Sequence, residues 1–405
     1  MNIIWLTPEP PFPPVGGRNG VYNRILQLSK YNNIFLFSIV YNSQEELEIK
    51  EMEKYCKEVN TYNRNANVFK KYFKSIFKPY SVASRTIKKM QLDILSLCDR
   101  VDIDVIIVDF PNMALNIRKI QKKYPNIVLT LNQHNIEYKR MREMFNVKTI
   151  NFVKRISYYL ESFRLERYEK RIYKKINFKA ITFFSVDDAK FFEKRWSKID
   201  TTIEVFPLGA NLLGDLNCSK ENEYNILFIG RLDNLAIPNV EASVWFAKDI
   251  FPFVKNKVPK AKFIIAGANP SDVVYNLSSN DITIIPNYKS LKEVYSLANV
   301  VVLPLLSGGG VKGKLLEAAS ANKFIVSTSR GVEGTTFEDE KDLIVSDDAK
   351  EFADKLSNIL LSQNEYSDMR NNAFKKFCEC YQWDKICQNY HIFLTKLKEG
   401  INENK

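Results

Sequence analysis

The chain has 405 residues, more than one hydrophobic core usually holds, so two or three domains are expected. Its 45% hydrophobic and 26% charged residues are an ordinary globular balance, which excludes a disordered or fibrous chain. The net charge of +12 is lopsided: residues 1–210 carry 36 lysines and arginines against 22 acidic residues, and residues 211–405 carry 23 against 25. The two halves are therefore expected to meet different partners.

No run of about 20 apolar residues is present, so no helix is expected to span a membrane. The opening residues run directly into the strand Ile3–Leu6, without the charged and apolar regions of a secretory signal. Six cysteines at irregular spacing suit reduced thiols in a cytoplasm.

In chain order, Ile3–Leu6 reads as a strand, Pro8 to Gly20 as a proline- and glycine-rich loop, and Val21–Lys30 as a helix. Ile34–Val40 reads as a strand, and residues 44–58 and 84–99 as helices. Val105–Val108 is a buried strand followed by Asp109, and Ile127–Leu131 a strand running into Asn132, Gln133 and His134. A long aromatic and basic helix is predicted over 150–175, then strand Ala180–Phe184, helix Asp187–Trp196 and strand Ile203–Phe206. The pattern restarts with strand Asn225–Ile229, which stops at Gly230 and Arg231. Helix Pro238–Val254, strand Lys262–Ala266, strand Ile282–Ile285, helix Leu291–Leu297 and strand Val300–Leu303 follow. Strand Phe324–Ser327, helix Ala349–Ser362 and a terminal helix from Trp383 complete the chain.

Strands alternating with helices predict an α/β chain of two doubly wound parallel-sheet domains. The expected division is 1–207 and 208–382, with the helix 383–400 packing back on the first domain. In such sheets ligands sit beyond the carboxyl ends of the strands. Gly16 and Gly17, Asp109, His134, Gly230 with Arg231, and Gly308 to Gly310 all fall at strand ends. They are expected to line one cleft if the domains face each other.

The segment Pro304 to Glu317, PLLSGGGVKGKLLE, carries the clearest chemistry. It joins a buried strand to a helix through glycines, so backbone N–H groups and the helix N-terminus can meet an anion. Lys312 and Lys314 add formal charge, and Glu317 lies one turn on, where a carboxylate could accept from ribose hydroxyls. Gly308 to Lys314 also fits G-x-x-x-x-G-K, but Leu315 stands where a P-loop needs the Mg²⁺-binding hydroxyl. Asp102-x-Asp104 precedes a buried strand and reads as the loop into it. Cys378, Cys380, Cys387 and His391 read as parts of helix rather than a zinc set.

These residues carry a family resemblance. Gly16-Gly-Arg-Asn-Gly20, Phe228-Ile-Gly-Arg231, Pro238-Asn-Val-Glu-Ala242, Pro304 to Ala319 and Gly331-Val-Glu-Gly334 resemble segments of group 1, or family 4, glycosyltransferases of the GT-B fold. The resemblance implies two Rossmann-like domains facing a cleft, with the acceptor on the first and a nucleotide-sugar donor on the second. It implies sugar transfer to an acceptor hydroxyl with retained anomeric configuration, in making a surface polysaccharide or glycoconjugate. His134, Arg231 and Lys314 would act at the transfer centre. Gly16, Gly17, Gly309, Gly310, Val311, Lys312 and Glu317 would bind donor, and Glu137 and Asp109 would lie on the acceptor side. No cofactor, metal or nucleic acid is expected.

Two departures stand out. Gly309 occupies the position where the wider family often has a glutamate, and no lysine closely follows Arg231, so Lys314 would supply that charge. Aromatic and basic residues mix in Phe69 to Lys78 and Phe152 to Lys175. This suits a cytoplasmic protein in peripheral contact with an anionic membrane, where lipid-linked acceptors reside. The alternatives are a GT-B sugar-nucleotide epimerase and a non-catalytic partner subunit.

Overall fold

The structure is a computed structural model and describes residues 1–14, 17–64, 78–145, 151–216 and 218–402. The chain divides into two compact units, one of residues 1–207 and 383–405 and the other of residues 208–382.

The first unit holds a seven-stranded sheet in the order β3-β2-β1-β4-β5-β6-β7. Its strands are β1 (Asn2–Thr7), β2 (Asn33–Val40), β3 (Glu58–Asn63), β4 (Val105–Asp109), β5 (Val128–Gln133), β6 (Ala180–Phe183) and β7 (Thr202–Val205). Every pairing is parallel, with Ile3 opposite both Ile34 and Val105. Helices α1 (Arg18–Leu28), α2 (Lys88–Arg100), α3 (Glu137–Met144), α4 (Phe152–Lys175) and α5 (Val186–Arg195) cover it. Strands β1, β4 and β5 are almost wholly buried because helices lie on both sheet faces, and β5 keeps Thr130, Asn132 and Gln133 inside.

The second unit holds a six-stranded parallel sheet in the order β10-β9-β8-β11-β12-β13. Its strands are β8 (Asn225–Ile229), β9 (Lys262–Gly267), β10 (Ile282–Pro286), β11 (Val300–Leu303), β12 (Phe324–Ser327) and β13 (Ile344–Val345). Alternation along β8 splits the core by face. Ile226 and Phe228 pack with Phe246, Phe251 and Phe263, while Leu227 and Ile229 pack with Leu315, Leu316 and Ala319. The covering helices include α6 (Ile237–Trp245), α7 (Phe251–Lys257), α8 (Gly313–Ser320), α9 (Ala349–Leu361) and α10 (Ser367–Cys380). The terminal helix α11 (Trp383–Asn402) belongs to the first unit, where Tyr390 packs on Phe206 and Asn32 Nδ2 meets His391 Nδ1 at 3.2 Å.

Three elements differ from the sequence expectation. Residues 44–58 form a short helix, Ser43–Glu48, then 3₁₀ turns, and Glu58 opens β3 instead of closing a helix. β3 is an edge strand of mixed polarity, ordered by its pairing with β2 rather than by an apolar pattern. The helix read over 238–254 is broken by a π turn, Phe246–Ile250, because Pro252 lacks an N–H and crowds the preceding turn. Residues 84–99 divide into the helices Tyr80–Arg85 and Lys88–Arg100.

Candidate functional site

Each sheet order reverses direction once, between β1 and β4 in the first unit and between β8 and β11 in the second. Loops leaving adjacent strands there part in opposite directions and leave a crevice, the usual ligand position in open α/β sheets. The sequence-predicted residues gather at these two points, and each is described within its own unit.

In the second unit, β8 ends at Gly230 and β11 leads into the glycine loop. Gly308 and Gly310 hold φ of 93° and 78°, a backbone that other residues rarely adopt. The turn they make brings Gly308 against Pro238 at the start of α6, where an added Cβ would meet Pro238 Cγ at 3.2 Å. Gly309 and Val311 belong to the same loop. Lys312 precedes α8 as its N-cap and supplies no capping acceptor, so the first-turn amides lack a side-chain partner.

Lys314 is the centre of this crevice. Its half-buried side chain runs over the Phe228 ring, with Nζ 4.4 Å from the centroid and 2.7 Å from Asn239 Oδ1. A Cβ on Gly230 would come within 2.8 Å of that Nζ and 3.0 Å of Asn239 Nδ2, so a larger residue there would push both side-chain ends aside. Burial pushes the Lys314 pKa down to about 7, against the pull of Glu317 and with a further push from Lys312. Glu317 accepts from the Tyr295 hydroxyl at 3.2 Å, and burial raises its pKa against that bond and the Lys314 charge.

The other cations are engaged locally. Arg231 forms an ion pair with Asp233, and its backbone carbonyl accepts from Asn239 Nδ2 at 2.8 Å. Lys312 donates to the Gly310 carbonyl and stands 4.0 Å from Glu333. Ser307 donates to Glu241 Oε2 at 2.8 Å beside the loop. Asn239 and Glu241 lie in the segment the sequence singled out, but nothing in their spacing revealed that both side chains face the glycine loop.

In the first unit, Asp109 ends β4 fully buried, and Trp5 Nε1 donates to it at 2.5 Å. Asn132 Nδ2 meets Asp109 Oδ1 at 3.0 Å, and His134 Nε2 stands 3.2 Å from the same oxygen. Phe110, between Asp109 and the next helix turn, has φ 64° and ψ 141°, a strained backbone for a bulky residue. Thr7, Glu9, Gly17, Arg18, Phe110 and His134 line a narrow recess here, with no room for a water-sized group. Arg18 is tied to Glu45 at 2.5 Å and to Glu9 at 3.4 Å. Gly16 lies outside the described residues. Glu137 begins α3 and is turned to Arg140 on its own helix, at 3.0 Å.

Among the described residues, no group of three or more His, Cys, Asp or Glu could hold a metal ion. Asp104 is bound by the Asn2 amide at 2.7 Å and by Lys398 at 2.5 Å, as befits the turn into a strand. No described helix is long and apolar enough to cross a membrane.

The chain resembles known proteins in sequence and in fold. Residues 223–362, which contain the whole glycine-loop site, match the model of the glycosyl transferases group 1 family. An uncharacterized 44.6 kDa protein in a cps region of Klebsiella pneumoniae is 25% identical over 95% of this chain and 97% of its own length. Sucrose-phosphate synthase from Thermosynechococcus elongatus has a similar fold, with a TM-score of 0.66 at 15% identity, over 99% of this chain and 100% of that one. Anabaena HepE in complex with UDP gives a TM-score of 0.66 at 10% identity, over 98% of this chain and 100% of that one. Residues 223–362 are thus similar to the group 1 glycosyl transferases, and the two Rossmann-like parallel-sheet units have the GT-B fold.

Proposed function

We propose that the protein moves a sugar from a nucleotide diphosphate donor to an acceptor hydroxyl, with the anomeric configuration retained. The observation that carries this is the Lys314 ammonium held over Gly230 beside an uncapped helix start, inside the group 1 domain. A diphosphate there would meet Lys314, Lys312 and the amides of Gly309, Gly310 and Val311, and Arg231 could turn to it from Asp233. Glu317 would accept from the ribose. Transfer would then depend on positioning and on neutralising the leaving diphosphate, without a metal ion. His134, Gly17 and Asp109 would serve the sugar and acceptor side in the first unit, with Glu137 behind them.

A nucleotide-sugar donor is supported by HepE, solved with UDP and glucose. A role in surface polysaccharide or glycoconjugate synthesis is supported by the relative from a cps region. A cytoplasmic enzyme working on lipid-linked acceptors would benefit from peripheral membrane contact, and α4 offers a surface for it. Its buried residues begin only at Ser162, while Phe152, Val153, Ile156, Tyr159, Leu160 and Phe163 are exposed. Lys154 and Arg155 stand among them in the basic half of the chain. The other aromatic and basic stretch, residues 69–77, lies outside the described residues.

The test is a transfer assay of the full chain against a panel of nucleotide sugars and glycan acceptors in excess EDTA. Product retaining the donor's anomeric configuration is expected. Activity that vanishes on chelation and returns with Mn²⁺ or Mg²⁺ would contradict the metal-free mechanism, and an inverted product would contradict retention.

A further inference from the structure

Two arginines converge on Tyr41 at the carboxyl end of β2 in the first unit. Tyr41 follows β2 directly, and its hydroxyl donates to the Pro8 carbonyl at 3.3 Å, in the loop after β1. Arg64 follows β3, and its amide donates to the Val40 carbonyl at 3.0 Å. Its guanidinium carbon lies 5.1 Å from the Tyr41 ring centroid and 5.2 Å from that of Tyr80. Arg85 closes the helix Tyr80–Arg85, and its Nη2 donates to the Tyr41 hydroxyl at 3.1 Å. The Arg85 carbonyl accepts from Asn116 Nδ2 at 2.9 Å. Both backbones are thus fixed, on the side of the sheet where ligands bind.

Neither guanidinium has an acid. Arg18, Arg140, Arg142, Arg164 and Arg195 of the same unit each pair with a glutamate. Among the described residues, the Arg64 side chain bonds only the Ser84 hydroxyl, at 3.2 Å, and that of Arg85 only the Tyr41 hydroxyl. Nε of each is shielded without a partner, and Nη1 of each has no bond to a described residue. The acids beside the two tyrosines are engaged elsewhere. Glu45 accepts from the Tyr41 amide at 2.8 Å and pairs with Arg18, and Glu161 accepts from the Tyr80 amide at 2.5 Å and faces Arg164 at 3.7 Å. Residues 64–92 contain eight lysines and arginines and no aspartate or glutamate, so the segment supplies no acid of its own. Two cations gathered at one tyrosine repel each other, and an oxyanion beside them would relieve that repulsion. Forked guanidinium donors match a carboxylate or a phosphate. Tyr41 and Tyr80 are 38% and 46% exposed, which leaves this face open to solvent.

We propose that Arg64 and Arg85 form an oxyanion site for a carboxylate or phosphate group carried by the acceptor. Calling the ligand the acceptor rests on the sugar-transfer reading, whereas binding of an oxyanion does not.

Three hexoses that differ at C6 test this by calorimetry on the full chain: glucuronate carries a carboxylate, glucose 6-phosphate a phosphate, and glucose neither. At least one of the two anions should bind roughly tenfold more tightly than glucose, and which one does so tells a uronic acid acceptor from a phosphorylated one. Arg64→Gln combined with Arg85→Gln should weaken that binding by roughly tenfold or more, while Lys314→Ala in the second unit should leave it within about twofold. In the transfer assay, acidic acceptors should be preferred to neutral ones, and the double substitution should raise their KM with kcat within about twofold. If neither anion binds better than glucose, the proposal is overturned, and that result requires no variant to fold. Anion binding that survives the double substitution, or that is lost with Lys314→Ala, overturns it as well. A double variant that loses phosphatidylserine vesicles but keeps its sugar anion would give these arginines to a lipid surface and likewise overturn it. Transfer to neutral acceptors as readily as to acidic ones would overturn the acceptor assignment. If nothing is transferred to any acceptor, the transfer reading is at fault, while calorimetry still decides the oxyanion site.

Discussion

Lys314 titrates where few lysines do. With burial holding its pKa near 7 in the free protein, the ammonium is fully charged only below neutrality. An incoming diphosphate favours the charged form, so binding above pH 7 must take up a proton. Affinity for a nucleotide sugar, whose diphosphate does not titrate in this range, should therefore decline as pH rises from 6 to 9. Calorimetry at several pH values checks this, and a flat profile would show that the ammonium is not a ligand. Glu169 carries the opposite sign. It is fully buried on α4, and desolvation, reinforced by Glu137, raises its pKa to about 8. The folded state therefore prefers the proton, and stability should fall as pH climbs from the usual carboxylate range through 8. Glu169→Gln removes that penalty. Its Tm should exceed the unmutated protein's at pH 8.5, with the gap closing near pH 4.5, and an unchanged gap would contradict the assignment.

Helix α4 is the element whose two halves behave differently. From Ser162 onward it buries Leu165, Tyr168, Ile172 and Tyr173, whereas its first turns leave Phe152 and Leu160 65% and 54% exposed. If these turns touch an anionic bilayer, the full chain should sediment with phosphatidylserine-containing vesicles at low salt and dissociate at high salt. Replacing Phe152, Ile156 and Leu160 together by serine should abolish sedimentation without lowering Tm, because those side chains pack on little. Equal binding by the variant would remove α4 from the contact. Elements of this kind also show what is legible in a sequence. The buried parallel strands were, because Ile3–Leu6, Val105–Val108 and Val300–Leu303 are apolar runs that only a doubly covered sheet explains. Edge strand β3 was not, because Glu58–Asn63 draws its order from β2 and shows no period of its own. The glycine loop and Lys314 could be singled out from residue type and spacing. Asn239 as its partner could not, nor could Trp5 on Asp109 or Phe184 on His134, since those contacts join segments far apart in the chain.

At the scale of the whole molecule, two sheets of like topology each bring candidate site side chains to the point where strand order reverses. One presents cations, glycines and an open helix start, and the other presents His134 packed against Phe110 and Phe184 beside Asp109. The central claim is that the first of these holds the donor's diphosphate. Isothermal titration of the full chain with UDP, GDP, ADP, dTDP and CDP in EDTA, repeated with Lys314→Ala, tests it most directly. At least one nucleotide should bind, and the substitution should weaken it by about 1.5–3 kcal/mol, roughly ten- to a hundredfold, at unchanged Tm. No binding by any nucleotide, or equal binding by Lys314→Ala, would contradict the account.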